Sequence, residues 1–353
     1  MRWGAGDRSF RRSVGTSLAL VVAAVLVLGT AACSTAPIEG SAPSSVAATA
    51  KLRSGPQTAT VPGGDVVPVT TSPRVSLPAT AESIGRGPVQ VTDIDRILAI
   101  DRNGTLANIV FSLGLGPRVV GRDRSTVFPA AAGLPLVTST GHTLNAEAVL
   151  ALRPTVVLID QSTTPRGAID QIRSAGVPVV EYTSVRTLAG TPDLIRGVAA
   201  ALGVREAGDD LVWRTQSEID EAKKLVPRPT GDPTMAFLYL RGRLQLIAGP
   251  GSGADDLIAA LGGRDAGAAA GMTGAFTAIT SEALLRANPD VVLVMTQGAE
   301  SVGGLNGVLA LPGIAETSAG RARRVVQMDE SEILAFGPDT GKVLAALARA
   351  IYT

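Results

Sequence analysis

The sequence predicts an α/β fold of two lobes sharing one topology and joined by a long helix. Three observations predict it. From about residue 96 onward, apolar runs of strand length alternate with amphipathic segments of helix length, the signature of α/β layers with largely parallel strands. One pattern occurs twice at the same spacing. Glu147-Ala148-Val149-Leu150 leads after three residues to Pro154 and Val156-Val157-Leu158-Ile159, and Glu282-Ala283-Leu284-Leu285 leads after three residues to Pro289 and Val291-Val292-Leu293-Val294. Between the copies, Pro192 opens a mostly helical stretch to about Val226, bent near Gly203 and ended by Pro227 and Pro229. Helix-proline-strand units are common in α/β proteins, so it is the shared glutamate, in register, that argues for a repeat.

The elements follow in order. Arg96 to Asp101 is a strand, Thr105 to Leu113 a helix and Arg118 to Gly121 the next strand. Asn145 to Leu152 is a short helix that Pro154 stops before the strand Thr155 to Ile159. A helix over Pro165 to Ala175 and a strand over Val177 to Tyr182 complete the first lobe. In the second, Met235 to Leu240 and Leu244 to Ala248 are strands, Ala254 to Leu261 a helix, Asp290 to Met295 a strand and Pro338 to Ile351 the closing helix.

The N-terminus reads as an export signal: Arg2, Arg8, Arg11 and Arg12 precede an apolar run from Ser17 to Leu28, too short for a comfortable membrane span. Gly29-Thr30-Ala31-Ala32-Cys33 resembles a bacterial lipobox, with Thr30 where leucine is usual, so Cys33 is the expected site of lipidation. It is the only cysteine, which excludes an intrachain disulfide. Ser34 to about Gly87 is rich in Ser, Ala, Thr, Pro, Gly and Val with few charges and no strong periodicity, and reads as a flexible tether. The expected organisation is therefore a leader (1–33), a tether (34–90), an N-terminal lobe (91–190), a bridging helix (191–227) and a C-terminal lobe (228–353). With 32 basic against 31 acidic residues and no basic patch interleaved with aromatics, nucleic acid is not expected as a partner.

Chemistry narrows to a few side chains. The chain has one histidine, His142, in a glycine-flanked loop before a helix. One imidazole cannot build a zinc or manganese cage, which needs three or four donors. One imidazole and one phenolate can hold the two axial faces of a haem iron, whose porphyrin already supplies four nitrogens. Tyr239 lies near the end of the first strand of the second lobe, and Arg241, two residues on, points to the same strand face and is placed to hydrogen-bond the phenol oxygen. A nearby cation stabilises a phenolate, and a hard anionic oxygen favours ferric iron. Read alone, a loop histidine is more often a hydrogen-bonding surface residue, and Tyr239 equally caps a core. Arg122, Arg124 and Arg243 are candidates for haem propionates by charge alone, and Met272 and Phe276 serve either as groove lining or as core.

From Arg96 to Thr353 the sequence resembles the substrate-binding proteins of bacterial siderophore, cobalamin and haem ABC importers. The residues that carry the resemblance are Gly114-Leu115-Gly116-Pro117-Arg118-Val119-Val120-Gly121, the unit from Leu144 to Ile159, the helix after Pro192 and the unit from Ile279 to Met295. Within that superfamily, Gly141-His142-Thr143-Leu144 with Tyr239-Leu240-Arg241 is similar to actinobacterial haem-uptake lipoproteins. The resemblance implies two Rossmann-like lobes bridged by one long helix, the class III periplasmic-binding-protein fold. It also implies ferric haem as the transported ligand, with His142 and Tyr239 as axial ligands, Arg241 as support, and no enzymatic activity. Glu147 and Glu282 would dock on a permease with its ATPase, upstream surface proteins would supply haem, and the protein would sit lipid-anchored on the extracytoplasmic face of the membrane. Two alternatives stand beside this: a siderophore or cobalamin receptor on the same fold, and a surface hydrolase. The hydrolase is disfavoured because the only histidine has no Gly-x-Ser-x-Gly turn to work with.

Overall fold

Buried apolar runs become strands and the residues between them become helices. The computed structural model describes residues 51–227 and 232–352; the leader, Cys33 and the first part of the expected tether lie outside the described residues. The described strands are β1 (Gln57–Thr58), β2 (Ala79–Ser83), β3 (Gly87–Val91), β4 (Ile97–Ile100), β5 (Val156–Asp160), β6 (Val179–Tyr182), β7 (Thr234–Arg241), β8 (Leu244–Ala248), β9 (Arg264–Asp265), β10 (Phe276–Ala278), β11 (Val291–Met295) and β12 (Val325–Met328). In the first lobe β4, β5 and β6 form a parallel sheet whose residues are all buried, so neither face is left to water. The expected strand at Arg118–Gly121 is instead a 3-10 turn over Gly116–Arg118 followed by one bridge from Val119 to Ile97. The second-lobe sheet runs β1-β12-β11-β7-β8-β10, parallel through β7 and then antiparallel, with β9 also on β7.

The repeat read from the letters is a repeat of structure. The helix Ala146–Ala151 leads into β5 and the helix Ser281–Ala287 into β11, each capped by the side chain that precedes it, Asn145 on Ala148 N and Thr280 on Ala283 N. Each unit passes through one left-handed residue immediately before its proline, Arg153 at φ 47° and Asn288 at φ 38°. Proline disfavours the helical conformation in the residue before it, so both units turn at the same place.

Residues 51–90 are not a tether. β1 adds to the edge of the second lobe, while β2 and β3 pair as a hairpin against the first, where Glu181 N donates to Ser83 Oγ at 2.9 Å. Between them Ala59 enters the second-lobe core, and Val66, Val69, Val75 and Leu77 pack on the first. Asp65 accepts from Ala130 N at 3.1 Å, so this segment crosses from one lobe to the other. Its composition hides this because the alternately buried positions of β2 are the small residues Ala79, Ala81 and Ser83, which give no hydrophobic period.

The expected single helix over 191–227 is two. Thr191–Ala201 belongs to the first-lobe core, and only Arg205–Lys224, ~30 Å long at 1.5 Å per residue, bridges the lobes. Gly203 makes the break at φ 67°, and a Cβ there would stand 2.3 Å from Ser76 O. The bridging helix places Ala207, Leu211 and Val212 in the first-lobe core and Ile219 and Ala222 in the second. Glycines bring its neighbours close: a Cβ on Gly208 would lie 2.4 Å from Ala199 Cβ, and one on Gly341 of the closing helix Thr340–Ile351 would lie 2.5 Å from the Glu218 backbone.

Under the carboxyl ends of the first-lobe strands lies a buried ionic cluster. Arg186 Nη2 bridges Asp101 Oδ2 at 3.0 Å and Asp160 Oδ2 at 2.7 Å. Asp123, fully buried, accepts from the backbone N–H groups of Asp101, Ser125 and Thr126 and from Thr126 Oγ1, at 2.8 to 2.9 Å. Burial, helped by the charge of Asp101, pushes the Asp123 carboxyl up to about 7 against these hydrogen bonds.

Two outcomes follow from this packing. Gly341→Leu must push the closing helix off the bridging helix; it should cost ~3 kcal/mol and lower the thermal midpoint, which an unchanged melting curve would contradict. Because the folded Asp123 holds its proton above the unfolded value of 3.8, its contribution to stability falls as pH rises from there through about 7. Denaturant midpoints measured from pH 5 to 8 should show this fall in the wild type and a flatter profile in Asp123→Asn.

Candidate ligand site between the lobes

The cleft is framed by strand ends. Asn103 Nδ2 donates to Leu334 O at 3.0 Å, Thr105 Oγ1 to Ala335 O at 2.6 Å and Asn108 Nδ2 to Asp339 Oδ2 at 2.8 Å, which ties the first-lobe loop after β4 and the helix Thr105–Ser112 to the second lobe. Beside these ties lies a cavity of about 540 Å³, lined by Ser125, Val127 and Phe128 of the first lobe and Thr296, Asp329 and Phe336 of the second, with residues 58–66 running along it. Open parallel sheets present ligand-binding loops at these carboxyl ends.

His142 ends a 3-10 turn over Thr140–His142, in which Gly141 at φ 74° and His142 at φ 63° are both left-handed. The conformation turns the imidazole toward Ser125, whose Oγ lies 3.5 Å from Nδ1. That hydroxyl donates its proton to Arg102 O at 2.5 Å, so toward the imidazole it offers a lone pair. A proton on Nδ1 satisfies it, and the Nε2 lone pair is then left for a ligand. Partial burial and the nearby charges of Arg102 and Arg124 hold the imidazole below its ordinary value of 6.5, with only Asp101 opposing them. His142 is thus kept neutral, the form that can coordinate a metal.

On the second lobe, alternation along β7 sends Met235, Phe237 and Tyr239 to one core and Ala236, Leu238 and Leu240 to the other, and neither Tyr239 nor His142 is among the residues that line the cavity. Tyr239 and Arg241 are both half-buried at the strand's carboxyl end, on one face as the period of two requires. The expected hydrogen bond from Arg241 to the phenol oxygen is not the contact made. The guanidinium lies over the ring, its Cζ 4.9 Å from the ring centroid, while Nη1 donates to Leu240 O at 2.8 Å and faces Glu330 Oε1 at 3.6 Å. The backbone carbonyl and the carboxylate draw the guanidinium off the phenol oxygen. Phe276, 41% exposed, meets the Tyr239 ring edge-on at 5.9 Å.

The remaining sequence candidates divide. Glu147 and Glu282 are both exposed, each the second residue of its helix after an equivalent cap. Arg124 is exposed near His142, and Arg243 is exposed in the turn between β7 and β8. Arg122 is turned inward instead, its Nη1 on the carbonyls of Asp123 and Thr126 at 3.3 Å, so its charge serves the loop and not the cleft. Met272 packs half-buried on the second-lobe core. Sequence reading missed Arg102, Ser125 and Glu330. Arg102 had a signal, being the first exposed residue after a buried strand at its ligand-facing end, whereas Ser125 and Glu330 reach the site only through tertiary contacts.

This architecture has known relatives. The heme binding protein HmuT matches with a TM-score of 0.79 and 40% identity, covering 85% of this chain and 98% of that one. Structures of HmuT with a histidine, a tyrosine or an arginine replaced by alanine match equally well, and that tyrosine and arginine are two residues apart. The periplasmic heme-binding protein RhuT from Roseiflexus sp. RS-1 matches with a TM-score of 0.68 and 39% identity, covering 73% of this chain and 98% of that one. A cobalamin-binding protein of Halobacterium salinarum is 23% identical over 254 residues, 71% of this chain and 68% of its own. The periplasmic binding protein model matches residues 103–332, from the loop after β4 to the segment after β12. That span takes in both lobes and the helix between them, and the chain therefore belongs to the periplasmic binding protein family, whose clefts bind substrates and do not transform them.

Proposed function

We propose that this protein is the membrane-anchored binding component of an ABC importer that captures ferric haem between its lobes and delivers it to a permease. The observation that supports the reading is that the chain's one histidine lies beside Ser125 of the cavity wall on one lobe, while a Tyr-x-Arg strand end lies on the other. The likeness to HmuT, with its histidine, tyrosine and arginine variants, supports it. In this reading His142 Nε2 and the Tyr239 oxygen are the two axial ligands of the iron, and the positive charge of Arg241 favours the phenolate. Haem supplies the iron that binds them, and the phenolate selects its ferric state. Phe276 offers an apolar edge to the porphyrin, while Arg102 and Arg124 provide cations for its propionates.

Cys33, lipidated and left as the first residue once residues 1–32 are removed, is the proposed anchor. Glu147 and Glu282, in equivalent exposed positions on the two lobes, are the proposed contacts with the two halves of a permease coupled to its ATPase. The bridging helix and the crossing segment at 58–65 limit lobe motion, so the permease would release haem by prying the lobes apart and breaking one axial bond. Upstream haem-binding surface proteins are the proposed donors.

A hemin titration followed by optical absorption tests the assignment. A saturable Soret shift with a phenolate-to-iron charge-transfer band is expected, altered in both His142→Ala and Tyr239→Ala; with no saturable shift the haem reading fails. Saturable binding of hydroxocobalamin in its place would favour the reading suggested by the Halobacterium relative. The pH profile gives a second check. Protons compete with iron for His142, so the histidine-dependent affinity should hold down to below pH 6.5 and fall off under it, with the fall beginning at higher pH in Arg102→Gln, where a lowering charge is gone. Glu147→Ala with Glu282→Ala should leave haem affinity unchanged within about twofold, because neither touches the site, and should abolish stimulation of the reconstituted transporter's ATPase.

A further inference from the structure

Arg241 is confined more closely than its half-exposed position requires. Nη1 donates to Leu240 O at 2.8 Å and lies 3.6 Å from Glu330 Oε1. The same Glu330 oxygen accepts from Gly298 N at 3.1 Å, so the carboxylate is itself fixed to the start of the helix Thr296–Glu300. Gly298 supplies the space, since a Cβ there would stand 3.3 Å from Arg241 Nη1 and 3.2 Å from Leu240 O. Three elements thus converge on one guanidinium: the end of β7, the helix after β11 and the residue after Asp329 that follows β12. Glu330 is only 16% exposed in its side chain, and its Oε2 is buried with no hydrogen-bond partner among the described residues. A carboxylate placed so deeply beside an arginine that stacks on a tyrosine is poorly explained as surface charge.

We infer that Glu330 is the positioning residue for Arg241, holding its charge over the face of the Tyr239 ring and tempering the positive field at the phenol oxygen. The spectroscopic consequence rests on the haem reading above; the placement of Arg241 does not. Burial, with the charge of Asp329, raises the Glu330 carboxyl against its own N–H, the Gly298 N–H and the Arg241 charge, so the pairing rests on the geometry, with Arg241 Nη1 3.6 Å from Oε1. In Glu330→Gln the amide oxygen still accepts from Gly298, so the helix start is kept and only the charge is lost. The guanidinium is then less constrained and its charge uncompensated. Both changes act in one direction: a phenolate that holds its electron pair more tightly donates less of it to iron.

The test has one arm without haem and one with it. In the haem-free protein, the Arg241 Nε–H resonance, assigned by its loss in Arg241→Ala, should be shifted upfield by the Tyr239 ring current. That shift should be lost in Glu330→Gln and in Gly298→Ala, whose Glu330 charge is intact. In the haem-loaded protein, Glu330→Gln should move the phenolate-to-iron band to shorter wavelength and raise the ferric/ferrous potential, and neither change should occur in an Arg241→Ala background. An Arg241 resonance untouched by Glu330→Gln overturns the inference. So does a band shift of the same size with and without Arg241, which would mean that Glu330 acts on Tyr239 directly. A wild type that takes up no haem overturns the haem reading, and the haem-free arm still decides the role of Glu330.

Discussion

One helix governs the geometry of the molecule. Arg205–Lys224 has its first half in the core of one lobe and its second half in the core of the other, so neither lobe can rotate far without tearing apolar contacts from a close-packed interior. The glycines at 208 and 341 make this constraint tight, because they let the neighbouring helices approach to distances at which a side chain would collide. The segment through Thr58 and Asp65 adds a second crossing. Two walls held in such a fixed relation can present ligating groups from both sides without first paying to order them, which is how a preformed cleft gains affinity.

Within that frame, the walls differ in electrostatic character. The first-lobe wall rests on Asp101, Asp123 and Asp160 with one arginine among them, yet the exposed residues whose charges reach His142 include the cations Arg102 and Arg124. Asp123 fixes the loop that carries Ser125, and Ser125 in turn meets the imidazole. The buried carboxylates therefore act on the histidine chiefly by shaping the backbone around it. On the second wall the sign is set by a single ion pair, Arg241 with Glu330, lying against the one tyrosine that is not deeply buried. Tyr182 and Tyr352 are buried in the cores, and burial raises both phenols, Tyr352 to about 12. Tyr239 is only half-buried.

Much of this was legible in the letters, and the failures have physical causes. Strands such as Val156–Asp160 and Val291–Met295 were readable because both faces are buried and the runs are apolar, save for Asp160 at the end of the first. The lobe repeat was readable because Glu147 and Glu282 hold the same place after equivalent caps. The segment 51–90 reads as a tether because β1 takes its partner from β12, and because the buried positions of β2 are Ala79, Ala81 and Ser83, too small and polar to mark a hydrophobic face. The helix break at Leu202–Val204 was signalled by Gly203, but that it separates a lobe helix from the bridge depends on Ser76 approaching from far away in sequence.

By itself the sequence determined the α/β class, the doubled lobe and the chemistry available at the cleft. Composition limits it to one imidazole, and the strand period puts Tyr239 and Arg241 on one face. Only the tertiary structure decided what those groups do there. Partial burial, with Arg102 and Arg124 arriving beside it from other loops, holds the imidazole below its ordinary value, and Arg241 lies over the ring because Gly298 leaves room and Glu330 pulls. Side-chain identity and local spacing are properties of a segment, whereas charge state and placement depend on the sum of neighbours, and those neighbours are assembled only when the chain folds.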